Sequence, residues 1–581
     1  MSVTRYKLTV HLKTDSPIHS GGPEEEVDRS RINGGSADSE GTSTAQPDGT
    51  SQQGNDSKQT WTPRRFARDG AGNPVLTGRS IKGALRAAVK HVARAEDGDD
   101  GAANLDALWG SLDQASALTV HPITLSSVAT ADKLPLRAGI AVDRYWGTAA
   151  DTALFAHEIV PRDQELTLCI TARAGSVLTT ASGSSDQDGE HTEEDRAERD
   201  AKHTEKDTAD AAAVERLFSV VLGALEAGLV SFGKRKGAGW GRVRINHDVG
   251  EPWSLKRTQL DSPAGLTTWL QGGDQTRIQA VDVKPPERIR IAISWNSPTG
   301  ILVAETKKDE PPRRNDEELG GERKKTDSAL PLRTHPSTEL KGKSTGPLVI
   351  PGSSVRGALR GRASRIARTV LLTDVDSSSK QDPDWSRLDV HKQLADDALL
   401  VRLLFGTTAH RGALTVLETL ATVTQDDEPK AREVTHNAGD RWTGGVAGGA
   451  LYSEEFPLVS WNDIQLEVDP QMLLAGMPDG RPIDYQRAAL CLLGLVLAEL
   501  STGTLPLGSR GTRGMGQVEV TRMQIDGPDE LIAGGKWEFA AYGGLSIAEQ
   551  LLDRLRHIND QIKVDTPEGW SALLNGKERQ S

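Results

Sequence analysis

The sequence predicts an α+β protein that contains two copies of a ferredoxin-like unit. Three observations lead to this prediction: one stretch occurs twice, a glycine-rich basic loop follows each copy, and strand and helix patterns recur in the same order. The copies read NPVLTGRSIKGALRAAVKHVA, from Asn73 to Ala93, and GPLVIPGSSVRGALRGRASRIA, from Gly346 to Ala367. Since such a repeat indicates an internal duplication, we expect both halves to share one fold and one task.

The first half opens with a strand, because apolar and polar residues alternate along residues 6–12. The polar stretches 23–60 and 175–207 contain too few apolar residues to bury a core and are expected to be insertions. The repeated stretch lies between them and predicts a short strand followed by a helix with one apolar face. A helix from Asp210 to Leu229 then leads into the glycine-rich loop FGKRKGAGWGRVRI.

The second half repeats this order. It has a strand near Ile289, a charged insertion, the repeated helix, a strand near residues 464–468 and a helix from Tyr485 to Leu500, and it ends in the loop PLGSRGTRGMGQVEV.

These patterns set the expected domain boundaries. The predicted domains are residues 1–249 and residues 281–525, with an insertion at about 305–346 in the second. A connector is expected at 250–280, and an extension at 526–581 should carry one amphipathic helix.

The composition limits the cellular setting. The 581 residues carry a net charge of -13, but the acidic residues concentrate in the insertions and the basic residues in the repeated motifs. The net charge therefore does not exclude a nucleic-acid partner. Cys169 and Cys491 lie in apolar contexts and predict buried free thiols, as in a reducing cytoplasm. Because no signal peptide or membrane-spanning run is visible, we expect a cytoplasmic protein without a membrane partner.

The start of each repeated helix predicts a phosphate-binding site. A serine is placed to cap the helix, and cations follow in the first turns although they oppose the helix dipole. Helix starts with free backbone N–H groups hold anions. The alternative is an ordinary amphipathic helix with a solvated basic face. The residues concerned are Ser80, Lys82 and Arg86 in the first half, and Ser353, Ser354, Arg356 and Arg360 in the second.

The two glycine-rich loops predict further phosphate contacts. Neither has the spacing of a Walker A motif, and in both the helix precedes the loop, which disfavours a dinucleotide fingerprint. Glycines let the backbone approach a ligand closely, and cations suit phosphates. The alternative is a tight helix-to-strand connection with solvated cations. The candidate residues are Lys234, Arg235 and Lys236, and then Arg510 and Arg513.

Taken together, these motifs resemble the RAMP superfamily of CRISPR-associated proteins, and more narrowly the backbone subunits of type III effector complexes. The first half contributes SPIHSGG, PVLTGRSIKGALR, RAGIAVDRYWGTA with LFAHEIVP, and its glycine loop. The second half contributes PLVIPGSSVRGALR, GDRWTGGVAGGALYSEEFP and its glycine loop. The chain is similar to two such subunits fused in tandem, and the insertions and the C-terminal extension fall outside the resemblance.

The resemblance implies partners and an activity. Subunits of this family stack along a CRISPR RNA, insert a thumb-like hairpin into the guide–target duplex and, in type III complexes, cut the target RNA beside the displaced base. The implied partners are CRISPR RNA, target RNA, a large signature subunit, a small subunit and further RAMP backbone subunits. The chain would then be an RNA endonuclease of an antiviral ribonucleoprotein.

The resemblance also implies a cutting residue, an aspartate in the loop upstream of the strand that leads into PGSS. Asp327, in KKTDSALPLRT, stands at that position in the second half. We expect it to act as a general base or to bind Mg²⁺ or Mn²⁺. The alternative is a solvated aspartate in a charged loop.

The first half departs from this pattern. Pro63 or a neighbour stands where the aspartate is expected, and Asp69 matches a different position. Four aspartates of the insertion stay open as substitutes: Asp28, Asp38, Asp48 and Asp56. We therefore expect one cutting site per chain.

For a histidine and two tryptophans near these motifs, the sequence allows two interpretations each. His19 follows the first strand and either contacts RNA or is simply solvated. The aspartates of the Asp143–Arg144 and Asp440–Arg441 pairs are expected to be structural. Trp146 and Trp442 nearby either pack in a core or stack on a displaced base.

Three functions are compatible with these patterns. The first is a tandem backbone subunit that cuts target RNA. The second is a structural RNA-binding subunit without cleavage. The third is an endonuclease that processes precursor CRISPR RNA, against which the duplication counts.

Overall fold

The fold follows from a computed structural model of the chain. It describes residues 4–21, 64–125, 134–143, 147, 149–174, 193–260, 262–304, 331–334, 346–373, 390–395, 397–407, 409–422, 431–474, 482–541, 543–562 and 569–574. Helices and strands are numbered in chain order.

The first sheet is built around β1 (Thr4–Thr14), whose residues alternate between buried and less buried positions along the whole strand. On one side β1 pairs with β7 (Glu165–Ala174), which pairs in turn with β3 (Leu118–Val120). On the other side β1 pairs with β8 (Val243–Ile245) and β9 (Trp253–Gln259), and β9 pairs with β10 (Asp274–Thr276). All these pairs are antiparallel.

Two long helices share the core of this sheet. They are α1 (Gly78–Ala107), which contains a kink at Gly98, and α2 (Glu193–Glu226). Leu8 of β1 is buried in one cluster with Leu85 of α1 and Leu217 of α2. The alternating pattern of β1 therefore directs one face toward the helices, as the sequence predicts.

The second half repeats this arrangement. Its sheet has the strand order β13 (Leu414–Val416), β17 (Ile464–Val468), β11 (Ile289–Asn296), β18 (Glu519–Asp526) and β19 (Lys536–Ala540). The helices of this half are α4 (Gly352–Thr373), α5 (Val390–Ala395), α6 (Leu399–Phe405), α7 (Pro482–Ser501) and α8 (Ile547–Asp560). Four strands of each sheet correspond: β1, β3, β7 and β8 in the first half, and β11, β13, β17 and β18 in the second. When each set is numbered 1 to 4 in chain order, the order across both sheets is 4-1-3-2.

Four pairs of strands lie outside the two sheets. The short pairs join β2 (Val75–Leu76) to β4 (Ile123–Thr124) and β12 (Val349–Ile350) to β14 (Thr419–Leu420). The long pairs are hairpins: β5 (Leu136–Val142) with β6 (Ala149–Glu158), and β15 (Ala431–Gly439) with β16 (Val446–Pro457). Each half therefore carries one long hairpin and one short pair, whose two strands lie before and after the repeated helix in the chain.

The structure differs from the sequence-based expectation in three segments. The expected connector 250–280 contains β9, α3 (Pro263–Leu270) and β10, so it extends the first sheet. Helix α2 begins at Glu193, inside the expected second insertion. The C-terminal extension adds strand β19 as well as helix α8. Alternation and apolar faces are local signals, whereas pairing at a sheet edge depends on the partner strand.

Within the described residues, no helix combines the length and the apolar character that crossing a membrane requires.

Candidate nucleic-acid interface

The two glycine loops have the same backbone structure. Arg235 and Arg510 both adopt left-handed backbone angles, with φ values of 64° and 63°, and each precedes a single 3-10 turn. Such angles are uncommon for residues other than glycine. The backbone N–H of Lys234 donates to the carbonyl oxygen of His19, and that of Ser509 donates to the carbonyl oxygen of Leu302. Each loop is thus fixed to the segment that follows the first strand of its half.

Arg235 lies in an aromatic cage. Its guanidinium is 4.6 Å from the ring centre of Phe155 and 5.3 Å from that of Trp240, and it donates to His157 Nδ1 at 3.3 Å. Burial, together with the charge of Arg64, lowers the pKa of Arg235 to about 10. Among the described residues, no carboxylate lies within ion-pair distance of Arg235, so its positive charge is left for an anion.

Arg510 has the equivalent place in the second half but different neighbours. Its Nε and Nη2 groups donate to the carboxylate of Glu454 at 2.7–3.1 Å. The Arg510 guanidinium accordingly holds the pKa of Glu454 below its ordinary value. Glu454 occupies the place of Phe155 beneath the loop. The second loop therefore compensates its arginine with a carboxylate, whereas the first loop does not within the described residues.

Cations of both halves meet beside the first loop. Burial, together with the charge of Arg411 from the second half, lowers the pKa of Lys236. Burial, together with the charges of Arg288 and Arg242, also lowers the pKa of Arg411, although Asp469 and Glu467 oppose this shift. A site where cations lower one another's pKa values gains free energy by binding an anion such as a phosphate. The sequence contained no local signal for Arg411, which reaches this site through the packing of the two halves.

The remaining basic residues of the loops differ in exposure. Lys234 and Arg513 are exposed at the two loops, and Lys236 is half-buried. These positions fit the predicted phosphate contacts, which stay a prediction.

The first cation of each repeated helix has a structural role. Lys82 Nζ donates to the hydroxyl of Ser116 at 2.7 Å. Arg356 donates to the carbonyl oxygens of Phe405 at 2.5 Å and Leu414 at 3.3 Å. These bonds connect the helix to the segment that leads into the next strand.

The second cation of each helix is held in an ion pair. Arg86 forms two bonds to Asp106, at 2.7 and 2.8 Å. Arg360 binds Asp397 at 2.7 Å, with both side chains almost fully buried. Both charges are neutralised within the protein, which speaks against Arg86 and Arg360 as phosphate ligands; their assignment stays a prediction.

The serines also differ from the prediction. Helix α1 begins at Gly78, and Thr77 is its cap: the Thr77 hydroxyl accepts from the backbone N–H of Ser80 at 3.4 Å. Helix α4 begins at Gly352, so Ser353 and Ser354 lie within its first turn. The cap is therefore not formed by the predicted serines.

His19 is completely buried, so the expectation of a solvated or RNA-contacting imidazole is wrong in this structure. Its Nδ1 donates to the carbonyl oxygen of Glu158 at 2.8 Å, and its ring packs edge-on against His157 at 4.6 Å. Burial, with Arg235 as the next cause, lowers the pKa of His157 to about 2. Leu302, rather than Thr299, occupies the place of His19 in the second half. The carbonyl oxygens of His19 and Leu302 accept the equivalent backbone hydrogen bond from their glycine loops.

The predicted cutting residue Asp327 lies outside the described residues. Pro63 and the aspartates at 28, 38, 48 and 56 lie outside them as well. Asp69 is described and forms a turn, in which its carboxylate accepts from the backbone N–H groups of Ala71 and Asn73. Within the described part of the chain, no cluster of three or more His, Cys, Asp or Glu side chains is arranged to hold a metal ion.

The tip of the second hairpin presents a tryptophan to solvent. Trp442 is 96% exposed, which rules out core packing in this structure. The carboxylate of Asp440 accepts from the backbone N–H groups of Trp442 and Thr443, each at 2.8 Å, and so orders the tip. In the first hairpin, Asp143 accepts from Gln393 of the second half at 3.0 Å, whereas Arg144 and Trp146 lie outside the described residues.

Comparison with known proteins agrees with the duplication. The family model of the RAMP superfamily matches two regions, residues 11–244 and residues 334–519, one in each half. No curated protein matches the chain. The two regions together make up most of the sequence and include both repeated helices and both glycine loops. The chain therefore belongs to the RAMP superfamily, with one matching region in each half.

Proposed function

We propose that the protein is a tandem backbone subunit of a type III CRISPR effector complex, which binds CRISPR RNA and cuts complementary target RNA. Membership of the RAMP superfamily points to a CRISPR-associated role in RNA binding. The type III assignment, the tandem arrangement of subunits and the cutting activity are our extension of it.

The observation that carries the RNA-binding part is the group of cations beside the first glycine loop. Arg235 is desolvated without a carboxylate partner in the described part of the chain. At the next residue, burial and then the charge of Arg411 lower the pKa of Lys236. Folding such charges together costs free energy unless an anion binds them. A ribose-phosphate strand that crosses the junction between the two halves supplies that anion.

The fold supports the ferredoxin-like assignment of each half. Both sheets have the strand order 4-1-3-2 with antiparallel neighbours and two helices in the chain order that this fold requires. The two long hairpins support the thumb interpretation, because the second one carries Trp442 fully exposed at an ordered tip. An exposed aromatic ring provides a surface on which an unstacked base can lie.

The cutting chemistry needs few protein groups. RNA carries its own nucleophile, the 2′-hydroxyl, and holding it in line with the phosphorus and the leaving 5′-oxygen supplies much of the acceleration. In this proposal Asp327 removes the proton from that hydroxyl, or it binds the divalent cation. Bound Mg²⁺ or Mn²⁺ would neutralise negative charge that develops on the phosphate.

The test uses the Asp327→Ala variant of the full chain, assembled with guide RNA and its partner subunits. We expect cutting of matched target RNA to fall by about 100-fold or more, since a positioned acid or base contributes on that order. Binding of the guide should stay unchanged, which a filter-binding measurement will check. Asp316→Ala is the matched control, because Asp316 lies in the same charged insertion.

Two outcomes would contradict parts of the proposal. Unchanged cutting by the Asp327→Ala variant would remove Asp327 as the cutting residue. Absence of cutting by the unmodified chain would favour a structural RNA-binding subunit.

A further inference from the structure

The two halves of the chain meet through different surfaces of the shared fold. The first half contributes its loop face, defined as the glycine loop 236–242 and Arg137 at the base of its hairpin. The second half contributes its helix face, defined as the start of α4, the turn 416–418 and Glu467. The contact is therefore head to tail, with the loop face of one unit on the helix face of the next.

The fit at this junction is close. A Cβ atom at Gly239 would lie 2.7 Å from the carbonyl oxygen of Val416. A Cβ atom at Gly352 would lie 2.7 Å from the carbonyl oxygen of Ala238. Glycine is thus required on both sides, because the two backbones approach each other too closely for a side chain.

Two ion pairs between described residues of the two halves illustrate the contact at this junction. Arg137 Nη1 lies 3.5 Å from Glu418 Oε1, with side chains that are 4% and 3% exposed. Arg242 Nη2 lies 2.5 Å from Glu467 Oε2. Both arginines belong to the loop face and both acids to the helix face. A buried arginine without its acid would strongly disfavour the contact.

The second half has a loop face of the same construction, and no described residue of the chain covers it at Gly514. Gly514 stands in the place of Gly239, and nothing in the described part of the chain lies within 4 Å of a Cβ atom built there. Arg432 stands in the place of Arg137, since each is the second residue of its hairpin. Arg432 is exposed, whereas Arg137 is buried.

Gln517 stands in the place of Arg242. The backbone N–H of Arg242 donates to the Ser16 hydroxyl, and that of Gln517 donates to the Thr299 hydroxyl. Gln517 is exposed.

The first half in turn has an open helix face, but this face lacks the acids. Pro122 stands in the place of Glu418, because each is the second residue after its edge strand, β3 or β13. The last residues of β3 and β13 pair with Ile170 and Leu466. Thr171 and Glu467 directly follow these two residues, so Thr171 stands in the place of Glu467. Thr171 is hydrogen-bonded to His121 at 3.1 Å.

Contact between two copies of the chain would therefore be poorly matched. Arg432 of one copy would be buried against Pro122 of the other, and Gln517 would face Thr171. Neither ion pair of the internal junction would form. A mismatch of this kind selects against a wrong partner.

We infer that the open loop face of the second half docks a different protein chain, whose helix face carries a carboxylate at the position that Glu418 holds inside this chain. The inference deepens the proposed role as a backbone subunit, because it fixes the neighbour on that side as another chain with an acidic helix face. It does not depend on RNA cutting, and its test contains no RNA.

The test measures self-association of the full chain by sedimentation velocity and mass photometry. The unmodified chain should be monomeric. The Pro122→Glu, Thr171→Glu double variant should associate head to tail, because Arg432 would face the acid at position 122 and the amide group of Gln517 could donate to the acid at position 171. Half-assembly should occur at a concentration about tenfold lower or more than for the unmodified chain, since one close charge pair across an interface contributes at least that much. Adding Arg432→Ala to the double variant should return it to the monomer.

A matched control places the same charges elsewhere. Ala264→Glu with Gln271→Glu adds two acids at exposed positions on the opposite edge of the first sheet, and this variant should stay monomeric.

Each contrary result would overturn the inference. Self-association of the unmodified chain that Arg432→Ala abolishes would show that a second copy is accepted. A double variant that stays monomeric, while its unfolding transition shows it to be folded, would show that the open faces do not reproduce the internal junction.

Discussion

His157 and Phe456 occupy equivalent places beneath the two glycine loops. His157 packs against Trp240 at 5.9 Å, and Phe456 is buried with Met515, the counterpart of Trp240. The histidine is 3% exposed and faces the guanidinium of Arg235. Its imidazole must therefore stay neutral in the folded protein. The first loop thus has beneath it a buried imidazole whose protonation the fold opposes, at a position where the second half has a phenyl ring.

We predict that acid destabilises the protein through His157. The pKa of His157 is about 2 in the folded state, because of burial and then of Arg235, against 6.5 ordinarily. The unfolded chain therefore takes up a proton below pH 6.5 that the folded chain refuses, and stability present above that pH is lost as the pH falls. Between pH 7 and pH 5 the free energy of unfolding should decrease by about 2 kcal/mol from this group.

The measurement is urea unfolding of the unmodified chain and of the His157→Phe variant at both pH values. The variant, which carries the residue found in the second half, should lose about 2 kcal/mol less between pH 7 and pH 5. Equal losses in the two proteins would contradict the prediction.

The role of each basic residue in the repeats depends on neighbours that lie far away in the sequence. The sequence identified the basic residues of both repeats but not their neighbours. Arg360 has its partner Asp397 at a distance along the chain that no motif specifies. Arg235 has no carboxylate partner among the described residues, because Phe155 stands where the other half has Glu454. A motif gives the type of residue, whereas its role depends on which side chains the fold brings to it.

At the scale of the element, the two glycine loops are one structure with different electrostatics. The first loop carries an uncompensated arginine, and the second carries an arginine bound to Glu454. We therefore expect the first loop to contribute a phosphate contact from Arg235, and the second loop to contribute from residues other than Arg510, whose charge Glu454 neutralises.

This difference predicts opposite effects of two substitutions on RNA affinity. Phe155→Glu gives Arg235 a carboxylate and should lower the slope of log affinity against log salt concentration by about 0.7 in magnitude. Glu454→Gln removes the carboxylate from Arg510 and should raise the slope by about the same amount. The measurement is filter binding of guide-length single-stranded RNA to the Asp327→Ala chain over a salt series.

Phe155→Leu is the matched control for the first substitution, because it removes the aromatic ring without adding charge. Its slope should equal that of the unmodified chain. If Phe155→Glu and Phe155→Leu gave the same slope, Arg235 would not be a phosphate contact.

The elements themselves were largely predictable. Alternation along β1 and the apolar faces of the long helices are strong local signals, and the structure contains these elements in the predicted order. The sequence did not predict strand β9, because the stretch that contains it has the composition of a connector and becomes a strand by pairing with β1. The caps were missed by a few residues, since a threonine and a serine in the same turn satisfy the same pattern.

At the scale of the whole molecule, the duplication was evident in the sequence, but the packing of one half on the other was not. The four residues of the two ion pairs, Arg137, Arg242, Glu418 and Glu467, are not repeated as a set, although two of them lie within recognised motifs. The equivalent positions of the other half carry an exposed Arg432, Gln517, Pro122 and Thr171. This difference between the halves decides which two faces can pair. A junction that is used once inside the chain can be recognised only when both of its faces are seen together.

The last prediction concerns the stability of that junction. Glu418 is buried, and burial raises its pKa while Arg137 opposes the shift. Arg137→Ala leaves a buried carboxylate without its partner and should lower the free energy of unfolding by about 3 kcal/mol. Arg432→Ala, at the equivalent but exposed position, should change it by less than about 0.5 kcal/mol.

Urea unfolding followed by tryptophan fluorescence measures both effects, and the Arg137→Met, Glu418→Leu double variant supplies the control. Because an apolar pair of similar volume needs no compensation, the double variant should regain most of the lost stability. If Arg137→Ala and Arg432→Ala were equally mild, the ion pair would not hold the halves together. In that case the junction would depend on the close backbone contact at Gly239 and Gly352, and the charges would serve only to select the neighbour.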